Sequence, residues 1–353
     1  MKRISWVDTF KCICIMAVMA EHAQCMTGWV HAFNAPFFVN GFFFASGYVY
    51  RNGESFGSFF KKKLRQLFVP WLVFSFLIII SSHLLSFSPS IHTDLKKELL
   101  ENLLQVRYRG DEMWFVAALF AAYIPFFFFV KFYEKAEGKR HRTVLFISIG
   151  LALSLAGYYF EMGGFGNSVE YLPWHGEFAF RAMFLMFAGY LFRENWEPLF
   201  DRLNTQANRI LLWTVFLLMV FVPQLSAAVY PVVNTVFYTY ISPLIGIPAV
   251  ISLCKQLKPG KFSSFVGRNT LAFYGLHGKV EAVIHAALIR SPWMYEYNDL
   301  CCCFAESLWK TALATLCSWL VALLTAALLI LPVMIIEKYF PVLEGKKMPE
   351  RKK

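Results

Sequence analysis

"TALATLCSWLVALLTAALLILPVMII", residues 311–336, runs without a single charged side chain. About 20 predominantly apolar residues in a helix cross the hydrocarbon core of a bilayer. A stretch this long and this apolar predicts a transmembrane helix. Runs of similar character recur from end to end of the 353-residue chain, which is 58% hydrophobic and only 16% charged. A soluble domain would carry about a quarter charged residues. The expected fold class is therefore all-α, a polytopic integral membrane bundle. Ten transmembrane helices are expected, at about 6–26, 33–50, 66–86, 113–131, 143–161, 178–192, 210–226, 232–253, 265–288 and 311–336. They form one domain over residues 1–340, followed by a basic cytoplasmic tail, 341–353. The first span has no small-residue cleavage site, so it is expected to remain as a span rather than leave as a signal.

The formal net charge is +11. In a soluble protein that excess would point to nucleic acid. In a membrane protein its first explanation is loop charge that sets orientation. With the N-terminus inside, the drafted spans leave 25 of the 34 lysines and arginines on the inner side and 6 outside. That bias predicts an even number of spans with both termini cytoplasmic. The partner is then the lipid bilayer, and no nucleic acid is expected.

The first span is the anomalous one. "DTFKCICIMAVMAEHAQ", residues 8–24, is oily but carries Asp8, Lys11, Glu21 and His22. A charge at a bilayer centre costs about 2.5–3.5 kcal/mol on insertion scales. Lys11 and His22 are eleven residues apart, about three turns plus 20°, so they share a face about 16 Å apart along the axis. Asp8 precedes Lys11 by three residues and can pair with it. Lys11 can snorkel to the inner headgroups and His22 to the outer ones. His22 can also carry a proton near neutral pH.

The ninth span repeats the theme. Thr270, Tyr274, His277, Glu281 and His285 follow one another at spacings of four, three, four and four, which makes one polar stripe. Such a stripe faces either partner helices, as hydrogen-bonding glue, or a lined cavity. Arg268 and Asn269 begin this helix on the inner side. In the sixth span Glu177 and Arg181 are four apart and are expected to pair. Before the third span, "FGSFFKKKLRQLF" places Lys61, Lys62, Lys63 and Arg65 at the inner mouth. Positive-inside bias explains such a cluster, and so does binding of phosphates.

The connections are short. "DLKKELLENLL" in the longest outer connection has helical period and is expected to lie along the surface. The outer loop around 162–177 is glycine-rich and aromatic and could face a substrate. None of the eight cysteines has metal-ligand spacing with histidine, so no metal is expected. Cys12 and Cys14 read as packing residues. An oxidising compartment would allow a disulfide between Cys25 and the Cys301–Cys303 run.

Several of these segments together resemble the membrane acyltransferase 3 family. "RISWVDTFKCICIMAVMAEH" is similar to its first helix, with Lys11 and His22 meeting the Arg/Lys-x10-His signature. "APFFVNGFFFASGYVY" resembles its second, ending in Ser46, Gly47 and Tyr48. "FFKKKLRQLFVPWL" resembles the basic approach to the third, with Lys62 and Arg65 at Arg-x-x-Arg spacing. "DEMWFVAALFAAY" carries the Trp-Phe start, here Trp114 and Phe115. "FRAMFLMFAGYLFREN" and "FVGRNTLAFYGLHG" resemble two later segments, the second with Thr270 in place of serine. Two departures stand out: Lys11 replaces the commoner arginine, and Glu21 precedes the histidine where a small residue is usual.

The resemblance implies a multi-pass O-acyltransferase of a bacterial plasma membrane. Its donor would be cytoplasmic acyl-CoA, most often acetyl-CoA, and no cofactor would be permanently bound. Its acceptor would be a carbohydrate or glycolipid hydroxyl of the cell envelope. Carried onto these positions, it implies catalysis by His22, as base or acyl carrier, with Lys11 and Asp8. Donor binding falls to Lys61, Lys62, Arg65 and Trp114. Ser46, Tyr48, Arg181, Arg268, Asn269, Tyr274, His277 and Glu281 are supporting or substrate-side positions. The pantetheine arm would run from Lys11 to His22. The rival expectation is a transporter or flippase of a sugar or lipid-linked glycan. Against it stands the lack of paired broken helices in two related halves.

Overall fold

The computed structural model describes residues 4–23, 28–84, 94–106, 113–161, 172–226, 237–289 and 308–346. Within them the chain is built of helices: α1 Ser5–His22, α2 Gly28–Asn34, α3 Phe38–Tyr48, α4 Phe56–Leu84, α5 Leu95–Leu104, α6 Trp114–Lys135, α7 Lys139–Glu161, α8 Gly176–Leu191, α9 Glu197–Leu203, α10 Gln206–Ser226, α11 Ser242–Cys254, α12 Lys261–Arg268, α13 Thr270–Ile289 and α14 Leu308–Tyr339. Among the described residues four helices are long and apolar enough to cross a membrane: α4, α6, α7 and Ala312–Tyr339 of α14. Cys25, the Cys301–Cys303 run and residues 347–353 of the tail lie outside the described residues.

The expected spans shift in three places, each for a local reason. The expected helix at 33–50 is divided into α2 and α3 by a turn at 35–37. Pro36 explains the break, because it lacks a backbone N–H and drives Ala35 away from helical geometry. The expected helix at 265–288 is divided at Asn269, whose φ of −113° and ψ of 25° take it out of the helix. The third span starts ten residues early. Ser55 caps α4 by accepting the Ser58 N–H at 3.4 Å, so the basic cluster is carried on the helix. The surface helix is present as α5, capped by Asp94 on the Lys96 N–H at 3.0 Å.

The chain divides into two compact units. The first comprises Met1–Phe42 and Trp196–Met334. Its axis is α1, buried along most of its length, with Phe10, Cys14, Ile15, Ala17, Met19 and Ala20 all sealed from solvent. α12 crosses α1 so closely that a Cβ on Gly267 would overlap the carbonyl oxygen of Asp8. Only glycine permits that approach. At the same end, Lys255 donates to Glu197 at 2.6 Å and Asp201 at 2.7 Å, and stands over the Trp6 ring. Cys12 and Cys14 are buried free thiols, as packing residues would be.

The second unit comprises Phe43–Asn195 and Ile335–Lys353. Its core is aromatic: Phe126, Phe127, Tyr133 and Phe187 are all buried. α3 meets α8 at Gly47, where any side chain would overlap the backbone of Met186. The end of α3 is stapled by Arg193, whose guanidinium donates to the carbonyls of Tyr48 and Tyr50. Residues 341–346, the start of the basic tail, fold into a turn with Pro341 buried and Gly345 seated on the backbone of Gln66.

Candidate active site

In the first unit α1 and the α12–α13 pair run parallel. Asp8 lies against Gly267 at one end, and the rings of His22 and His277 meet at the other, with centroids 5.1 Å apart. Asp8 is buried and pairs with Lys11 at 3.8 Å, as their spacing predicts. Asn269 is buried at the junction of α12 and α13, its N–H donating to Phe265 at 3.2 Å and Val266 at 3.1 Å. Arg268 is half-buried beside it.

His22 is the last residue of α1, and its ring is exposed although the helix before it is sealed. His277 is buried and donates its Nδ1–H to the carbonyl of Tyr274 at 2.6 Å. A carbonyl can only accept, so that bond fixes the proton on Nδ1 and leaves the Nε2 of a neutral ring as an acceptor. The Tyr274 ring stacks on the His277 ring at 5.7 Å. Thr270, Tyr274 and His285 are half-buried, whereas His277 and Glu281 are buried, so the polar stripe of α13 packs inward.

Glu21 stands where the resemblance leads one to expect a small residue. It is buried, accepts from Asn34 Nδ2 at 3.0 Å, and takes the Nδ1–H of His31 at 3.1 Å. It therefore ties α2 to the end of α1, next to His22. The Glu21 carboxylate raises the pKa of His31 above its ordinary value, against the opposing pull of burial. A polar pair three residues apart on α2, His31 and Asn34, was the only hint of this in the sequence.

The second unit carries the basic cluster. Lys63 Nζ stands 3.5 Å over the ring of Tyr123. Tyr123 is nine residues into α6, about 13 Å from its Trp114 end. The cluster thus lies beside the middle of a candidate membrane span, not in a loop before one. Loop charge alone does not account for cations at that position. Lys61 is exposed, and Lys62 donates to Glu54 at 2.7 Å. Arg65 is half-buried on a π-helical turn, Leu64–Phe68, and its Nε is buried without a hydrogen-bond partner. π-Turns inside helices are frequent at functional sites.

The other expected positions in this unit are placed as follows. Trp114 packs its ring against His175 at 5.6 Å and Phe178 at 5.8 Å. The Ser46 carbonyl accepts from the Tyr123 hydroxyl at 3.4 Å. Tyr48 is buried against Phe192, with its carbonyl on Arg193. Glu177 and Arg181, expected to pair, each meet other groups. Arg181 bonds Glu161 on the preceding helix at 3.2 Å and lies 3.9 Å over the Phe178 ring, while Glu177 accepts the Leu172 N–H at 3.1 Å. Spacing along one helix missed this because the partner comes from another.

A family model described as an acyltransferase domain matches residues 4–336. No curated protein and no solved structure matches the chain.

Proposed function

The chain belongs to the membrane acyltransferase 3 family, and from that premise we propose an acyl-CoA-dependent O-acyltransferase acting on a sugar hydroxyl of a cell-surface glycan. Acetyl is the acyl group assigned. The protein works as ten spans with both termini cytoplasmic, in a bacterial plasma membrane. One observation carries this: an exposed imidazole, His22, emerges from a buried helix against a second imidazole, His277, whose tautomer is fixed by Tyr274.

His22 takes the proton of the acceptor hydroxyl as its oxygen attacks the thioester carbonyl. The C–S bond breaks, and the departing thiolate takes that proton back from His22. Alternatively, His22 first accepts the acyl group as an acyl-imidazole, which the hydroxyl then discharges. Trapping an acyl-enzyme separates the two. Arg65, with Lys61 and Lys62, binds the phosphates of the donor, a task suited to a guanidinium with an uncommitted donor. Lys11, held by Asp8, supplies a further cation on the helix that carries the base.

The test is transfer from labelled acetyl-CoA to mixed surface glycans in proteoliposomes, with wild type beside His22→Ala. Turnover that disappears in a folded His22→Ala protein supports the mechanism. Turnover that survives removes His22 from the chemistry and leaves the transferase. Absence of thioester loss with every acceptor removes the transferase and favours sugar translocation.

A further inference from the structure

Glu281 is a buried acid with no partner among the described residues. It is 7% exposed, and neither carboxyl oxygen has a hydrogen-bond partner. Two other buried acids are engaged: Glu21 by Asn34 and His31, and Glu177 by the Leu172 N–H. A carboxyl that served only to join helices would meet a donor from a neighbouring helix. Glu281 meets none among the described residues.

Its position is specific. Glu281 follows His277 by four residues, about 6 Å along α13 and about 40° around it. Both residues are on the buried face of that helix, and His277 touches His22. Because α1 ends at His22 while α13 continues, Glu281 lies one turn past the imidazole pair, away from the Asp8–Gly267 end. A polar ligand at His22 that extended in this direction would meet a carboxyl with its hydrogen-bonding capacity unspent.

We propose that Glu281 is the acceptor-binding residue: its carboxyl takes hydrogen bonds from hydroxyl groups of a neutral sugar whose reacting hydroxyl is held at His22. This rests on the transferase function proposed above and names the group that selects its acceptor. A carboxyl offers several acceptor sites on two oxygens, which suits adjacent hydroxyls on one ring. An acceptor without those hydroxyls would leave the buried acid unpaired, and a site of that kind rejects it strongly.

The experiment compares wild type, Glu281→Gln and Glu281→Ala in proteoliposomes, with acetyl-CoA and methyl glycosides of the common hexoses. Thermal unfolding of each protein is followed alongside. Expected is a rise of roughly tenfold or more in acceptor KM for Glu281→Ala, a smaller rise for Glu281→Gln, and an unchanged donor KM. Equal acceptor KM in all three folded proteins overturns the proposal and leaves the transferase standing. Parallel loss of donor and acceptor affinity with a lowered unfolding temperature in both variants also overturns it, in favour of a structural acid. If wild type transfers nothing, the function above fails. Calorimetric binding of the same glycosides then decides for Glu281: binding lost in Glu281→Ala upholds a sugar site, and no binding or equal binding removes it.

Discussion

In the unit built on α4, α6 and α8, several charged groups come with partners. Lys62 has Glu54, Arg181 has Glu161 and an aromatic face, Lys63 has the Tyr123 ring, and Arg193 has two carbonyls. Arg65 shares with Arg142 and Arg181 a buried Nε that has no hydrogen-bond partner among the described residues, and it alone of the three lies in the basic cluster. In the unit built on α1 and α13, Asp8 and Glu21 are likewise engaged, but His22 is exposed at the end of a sealed helix and Glu281 is buried with no partner among the described residues. An apolar fold gains little from a polar group whose bonds it leaves unmade. The difference suggests where to look first: an exposed imidazole beside a buried acid with unspent hydrogen-bonding capacity is the feature of the first unit that the proposed function uses.

The sharpest way to break this comparison is His22→Ala. Loss of a positioned base or nucleophile is expected to cut transfer by about a thousandfold, and the exposed ring means the unfolding temperature should stay put. A large drop in unfolding temperature would put His22 among the structural residues instead. Next in size is a pair of glycines only eleven residues apart. Gly267→Ala drives a methyl into the α1 backbone and should destabilise by about 3 kcal/mol. Gly278→Ala, on α13 with open space around it, should stabilise by up to about 1 kcal/mol. Thermal unfolding in detergent reads both, and similar shifts would show that α1 and α12 are not locked at this point.

Smaller again is the contrast within the basic cluster. Arg65→Ala should raise donor KM by about tenfold, the loss of one charge-assisted phosphate contact. Lys62→Ala should raise it less, because Glu54 already engages that ammonium. The reverse order would make Lys62 the donor's main contact.

The smallest effect is a pH dependence at His31. Its folded pKa is raised above the ordinary 6.5, chiefly by the hydrogen bond to Glu21. The stabilisation is therefore complete below about 6.5 and is lost as pH climbs through the folded value. His31 is substantially exposed, so the effect is screened. Unfolding temperature should fall slightly across that window in wild type and less in His31→Gln. Identical pH slopes would mean that Glu21 holds α2 through Asn34 alone.

Much of this was legible along the chain wherever partners are near in sequence. The Asp8–Lys11 pair follows from a three-residue spacing, and the inward face of α13 follows from its three- and four-residue polar repeat. The cap and helix at 94–104 follow from local pattern as well. What was not legible came from elsewhere in the chain. Arg181 finds Glu161 across two helices, and Glu21 finds Asn34 across a turn. The apolar run that begins at residue 66 leaves the basic cluster just ahead of the expected third span. The cluster's place on a helix depends on Tyr123 and on the Ser55 cap.

By itself the sequence determined the class of molecule. Apolar composition and helix-length runs dictate a membrane bundle, and the motifs from residue 4 to residue 336 dictate an acyltransferase family. Those properties are additive along the chain, so order and spacing suffice to carry them. Only the tertiary structure decided which polar side chains are spent and which are left over. That property depends on the other helices that come within about 3 Å of an atom, and spacing within one helix does not encode it. His277 beside His22, and Glu281 without a partner among the described residues, are products of packing between segments far apart in sequence.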